Sequence, residues 1–110
     1  ELFCTKIKYT PEAMASIINN KEDWILAVGA AIKSIGGQML GFYGMLGPKH
    51  DAMVIAEFPS KIEYMALISK VMAGGAMADI TTISLFKGED VVKATTIASV
   101  DKVNYKPARN

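Results

Sequence analysis

From Gly36 to Pro59 the chain reads GGQMLGFYGMLGPKHDAMVIAEFP, with apolar residues in both alternating sets of positions. That pattern predicts two strands that are apolar on both faces, joined by the tight polar turn Gly47-Pro48-Lys49-His50. A sheet buried on both sides needs two covers. One comes from the chain's own helices, and the other is expected from a second copy of the protein.

The flanking segments supply the rest of the fold. Leu2 to Tyr9 has the content of a strand, with Phe3, Thr5, Ile7 and Tyr9 on one face and Leu2, Cys4, Lys6 and Lys8 on the other. Thr10-Pro11-Glu12 is a helix start, in which the threonine oxygen caps free amides and proline fits the first turn. The helix or helix pair that follows runs to about Ile35 with a hitch at Asn19-Asn20-Lys21, and Trp24, Ile25, Val28, Ile32 and Ile35 form an apolar stripe. Gly36-Gly37 ends it. In the second strand Leu40, Phe42 and Leu46 alternate with Met39, Tyr43 and Met45, and the third runs from Asp51 to Phe58. Ser60-Lys61-Ile62-Glu63 is a capping-box pattern opening a helix whose stripe is Tyr64, Leu67, Ile68 and Val71. Gly74-Gly75 closes it, a fourth strand spans about Ala78 to Lys87, and Val91 to Val100 reads as a short helix despite its β-branched residues. The tail from Asp101 to Asn110 is polar, and its Lys102, Lys106 and Arg109 read as solvated.

The order strand, helix, strand, strand, helix, strand predicts a ferredoxin-like α+β fold. Its four-stranded antiparallel sheet would carry two helices on one face, over a core of about residues 2–87, with residues 88–110 as an appendage. Apolar residues on the bare face predict a dimeric α+β barrel, in which a second sheet packs across a two-fold axis.

Composition narrows the functional classes. Of 110 residues 51% are hydrophobic, which fits a homo-oligomer better than a monomer. Twelve Lys and Arg against eleven Asp and Glu leave a formal charge of +1, too little to gather nucleic acid or anionic lipid. An RNA-binding sheet would need exposed aromatics together on its central strands, whereas Phe42 and Tyr43 point to opposite faces. No apolar run is long enough to suggest a membrane helix, so a cytoplasmic location is the default expectation. The lone Cys4 reads as a small buried thiol, and one histidine with one distant cysteine falls short of a metal ligand set. Neither a metal nor a cofactor is expected, and phosphate-cradling and dinucleotide motifs are absent.

Several of these segments together resemble the GYD domain family: KIKYT at Lys6 to Thr10, the helix ending in Gly36-Gly37, FYGMLG at Phe42 to Gly47, an aspartate opening the next strand, and Glu57-Phe58-Pro59. The resemblance covers about Leu2 to Phe86 and implies a dimeric α+β barrel without implying a reaction. The family signature is glycine, a variable residue, tyrosine and aspartate. Here the turn reads Gly47-Pro48-Lys49-His50-Asp51, so Gly47 and Asp51 carry over, His50 replaces the tyrosine, and one residue is added.

The candidate chemistry rests on few side chains. His50 beside Asp51 is a candidate general base whose tautomer the carboxylate would fix. Glu57, within an otherwise apolar strand, either pairs with Lys6 or Lys8 or lines a wet cavity, where a raised pKa would suit it to proton transfer. The Tyr43 hydroxyl either orients a ligand or sits at the edge of an interface. The seven methionines read as core filler. The leading expectation is a homo-oligomer that binds a small, largely apolar molecule between sheet and partner, with Tyr43, His50, Asp51, Glu57 and Lys6 as its polar contacts. The alternatives are a cofactor-independent monooxygenase or isomerase, with His50 or Glu57 as the catalytic base, and a non-catalytic assembly module.

Overall fold

The structure, a computed structural model, describes residues 1–100 and 103–108. Lys102 and Arg109, read above as solvated, lie outside the described residues. The elements follow in the order β1 (Leu2–Tyr9), α1 (Pro11–Asn20), α2 (Trp24–Ser34), β2 (Gln38–Gly44), β3 (Ala52–Glu57), α3 (Lys61–Ala73), β4 (Met77–Leu85) and α4 (Gly88–Ser99). The strands form one antiparallel sheet in the order β2-β3-β1-β4, an α+β arrangement consistent with the ferredoxin-like topology.

Local chemistry accounts for most boundaries. The Thr10 hydroxyl accepts the Ala13 amide at 3.1 Å, and Asp23 accepts the Leu26 amide at 3.0 Å, so α1 and α2 each begin on a side-chain cap. Between them Lys21 adopts a left-handed conformation with φ 52°, which is the hitch expected at Asn19-Asn20-Lys21. The start of α3 departs from the capping-box reading. Ser60 Oγ does accept the Ile62 amide, but the Glu63 carboxylate takes its hydrogen bond from the Ser60 hydroxyl, at 2.8 Å, rather than from the backbone.

The core gathers on one face of the sheet. Phe3, Ile7 and Tyr9 of β1 and Ala52, Val54 and Ala56 of β3 are buried there with Ile32, Tyr64 and Met77. The Phe3 ring stacks on Tyr64 at 4.2 Å between centroids, and Phe58 meets both rings edge-on. Trp24 of α2 meets Tyr9 edge-on at 5.1 Å.

One element departs from simple alternation. Strict alternation along β2 places Met39 and Phe42 on opposite faces. In the structure Met39 pairs with Ala56 and Phe42 with Val54, while the register shifts between Met39 and Gly41. Leu40 is therefore the extra residue of a bulge, and Met39 and Phe42 both pack against the core. Leu40 itself is 51% exposed.

Helix α4 buries none of its residues, and the chain is 62 Å long in its longest dimension. The Cα radius of gyration is 18.3 Å. A compact chain of this length would have about 13 Å.

The α2–β2 junction is closely packed. Gly36 takes φ 83°, and a Cβ on Gly37 would lie 2.7 Å from the Glu57 carbonyl oxygen and 2.8 Å from Ile32 Cγ2. Because one of these atoms is backbone, relief requires the chain to shift. Gly37→Ala is expected to destabilise the fold by about 1–3 kcal/mol in urea unfolding; an unchanged midpoint would show that the junction is loose.

Candidate functional site

Pairing across the sheet arranges the face opposite the core in rows. Thr81, Lys6, Met53 and Tyr43 lie side by side across β4, β1, β3 and β2. The next row is Ile83, Cys4, Ile55 and Gly41, followed by Leu85, Leu2, Glu57 and Gln38. The middle of this face is apolar, and Cys4 within it is only 5% exposed, in keeping with the buried thiol expected. Tyr43 lies over Gly41, where a Cβ would come within 2.7 Å of the ring. The absence of a side chain at Gly41 is what makes room for the ring there.

His50, Asp51, Lys6 and Tyr43 occupy one end of this face, but His50 and Asp51 do not form the expected pair. Asp51 Oδ2 accepts the Tyr9 backbone amide at 3.0 Å, and Oδ1 lies 3.4 Å from Lys8 Nζ. Its carboxylate is thus committed to β1. His50 instead reaches across to β4, where Nε2 is 3.2 Å from Thr81 Oγ1 and 3.6 Å from Asp79 Oδ2. The acid beside the imidazole is Asp79, a residue that the sequence places twenty-nine positions downstream and that only the β1–β4 pairing brings near. Glu57 stands apart, four residues and about 13 Å along β3 from Met53. It does not join Lys8, whose partner is Asp51, and lines a surface cleft with Glu1, Ser84, Phe86 and Lys87.

The apolar space of this chain lies on the other face. A cavity of about 50 Å³ sits between the sheet and helices α2 and α3, lined by Thr5, Ile7, Ile32, Val54, Tyr64 and Ile68 among others. It abuts an open groove of about 300 Å³, bordered by Trp24, Ala27, Ala31 and Lys70, and the two share Val28, Leu67, Val71 and Met77. Hydroxyls provide the side-chain polarity of the cavity wall. Tyr64 Oη lies 2.8 Å from Thr5 Oγ1 and 2.7 Å from Thr82 Oγ1.

Read as part of an apolar stripe, Tyr64 gave no hint of this cluster. The available signal was the placing of Thr5 and Thr82 among core-facing positions of their strands, where a buried tyrosine needs a partner for its hydroxyl. A molecule in this cavity would meet neither His50 nor Glu57, which lie across the sheet. Among the described residues no group of three or more His, Cys, Asp and Glu could hold a metal ion, and no helix is long and apolar enough to cross a membrane.

Comparison with known families gives one match: the family model of the GYD domain fits residues 3–95, most of the chain. No curated protein matches it.

Two expectations follow for the β1–β3 end. Asp51→Ala removes the acceptor of the Tyr9 amide and should cost about 1–3 kcal/mol. Asp51→Asn keeps a carbonyl acceptor and loses only the part-exposed Lys8 pair, worth at most about 1 kcal/mol. Equal losses for the two variants in urea unfolding would contradict the assigned amide bond. Burial, and secondarily the Asp51 carboxylate, raises the Tyr9 phenol above its ordinary value. The unfolded chain then releases this proton first, so the Tyr9 contribution is intact below about pH 10 and is lost as pH rises through the folded-state pKa. Between about pH 9 and 11.5, Tyr9→Phe should lose less stability than the wild type; parallel pH profiles would contradict this.

Proposed function

This chain belongs to the GYD domain family, and on that premise we propose that it is a homo-oligomeric binding protein for a small, largely apolar molecule. The observation that carries the reading is the apolar cavity between the sheet and α2 and α3, whose wall includes the hydroxyls of Tyr64 and Thr5 and which adjoins the groove at Val28, Leu67, Val71 and Met77. Binding sites of this kind combine apolar walls with a few polar groups that fix orientation.

Assembly uses the opposite face. A second copy packs its own sheet against Met53, Ile55, Ile83 and Tyr43 to form a dimeric α+β barrel. The support is exposure of apolar surface: Tyr43 is 53% and Ile83 38% exposed in the isolated chain. In this reading Lys6, His50, Asp51 and Tyr43 form a polar margin at one end of the interface, and Glu57 a second margin at the other. The bound molecule is then separated from the interface by the thickness of the sheet, so occupancy and assembly are independent properties.

Native mass spectrometry of freshly purified protein tests both halves. The expected result is a dimer or higher multimer carrying an extra small mass that is released on denaturation. A monomer would overturn the assembly, and a bare multimer that also gains no mass with added apolar ligands would overturn the binding.

A further inference from the structure

Resting on the reading that the cavity holds a small apolar molecule, we propose that Thr82, Tyr64 and Thr5 form a reversible hydroxyl relay that offers one hydrogen-bond donor to the cavity. Its ligand is an unbranched aliphatic molecule with an uncharged carbonyl at the buried end.

Each of the three hydroxyls has one proton to donate. The two O···O contacts, 2.8 Å from Tyr64 to Thr5 and 2.7 Å from Tyr64 to Thr82, use two of the three protons. One proton is left over, and the geometry fixes where it can go. With Thr5 donating to Tyr64 and Tyr64 to Thr82, the spare proton sits on Thr82, an exposed residue of β4 that can give it to water. With the direction reversed, Thr82 accepts from water and donates to Tyr64, Tyr64 donates to Thr5, and the spare proton sits on Thr5. Thr5 is 8% exposed and lines the cavity. If both threonines donate to Tyr64, the spare proton belongs to the phenol, which lines the same cavity. Moving between these arrangements needs only rotation of O–H bonds, with every heavy atom in place.

In the empty protein the outward direction satisfies all three groups. A carbonyl oxygen entering the cavity satisfies the inward direction equally well, so the relay supplies a donor without leaving a buried proton unpaired when the site is empty. That adaptability addresses the usual cost of an unmatched buried polar group.

Size and charge define the remainder of the ligand. Among the described residues no Lys, Arg, His, Asp or Glu lines the cavity, so a carboxylate or ammonium would be buried there without a partner. The cavity, at about 50 Å³, is well below the roughly 150 Å³ of an apolar cavity that accepts benzene. A narrow head fits, and the chain attached to it leaves past Val28, Leu67, Val71 and Met77 into the groove.

The test uses the full chain, with the methyl NMR signals of Ile32, Ile68, Ile80 and Val54 followed on titration with 2-heptanone and with 2-methyl-1-heptene, its hydrocarbon isostere. Wild type should bind the ketone about fivefold or more tighter than the alkene. The ratio should fall to about one in Tyr64→Phe, which keeps the ring stacked on Phe3. Thr5→Val keeps the β-branched shape of the strand and provides the same comparison should Tyr64→Phe not fold. Equal binding of the two probes by wild type, or an undiminished ratio in a folded variant, would overturn the relay while leaving the cavity reading intact. Binding of neither probe would overturn both.

Discussion

The stack of Phe3 on Tyr64 is the contact on which the rest of the structure depends. Phe3 belongs to β1, which pairs with both β3 and β4, and Tyr64 to the first turn of α3. Their rings lie 17° from parallel, and Phe58, just beyond β3, closes against both. The Tyr64 hydroxyl then bonds to Thr5 and Thr82 on two neighbouring strands. One side chain thus contributes apolar area and fixes the position of α3 over the β1–β4 pair. Leucine could supply the area, but neither the edge contacts nor the bonds.

Alternation along the strands links this core to the two sides of the sheet. With Phe3, Ile7 and Tyr9 committed to the core, Leu2, Lys6 and Lys8 must lie opposite, and antiparallel pairing sets the register of β3 and β4 against them. The sheet therefore separates two chemistries. An apolar cavity with a hydroxyl wall lies on one side, and an apolar field with charged margins on the other.

Much of this was legible in the sequence because it rests on local rules. Thr10, Pro11, Gly36 and Pro59 mark boundaries by conformational restriction or capping, and the alternation of β1 sorts Phe3, Ile7 and Tyr9 onto the one face that the structure buries. The Leu40 bulge was not legible: an extra residue becomes apparent only when β2 is laid against β3, since both its apolar sets can face inward. The same holds for the candidate site. Proximity in sequence suggested a His50–Asp51 pair, but a strand reverses side-chain direction at each residue and the turn redirects His50 towards β4. The residues that chemistry brings together, Asp79 with His50 and Tyr64 with Thr5 and Thr82, lie far apart along the chain, and only the fold makes them neighbours.

The unpacked terminal helix has a hydrodynamic consequence. A particle measuring 62 × 33 × 23 Å meets more friction than a sphere of equal mass and migrates through a porous matrix as a larger body. Helix α4 belongs to this elongated particle and buries no residue. For this protein elution volume reports shape and mass together, so a lone protomer with its helix extended would pass for a compact pair.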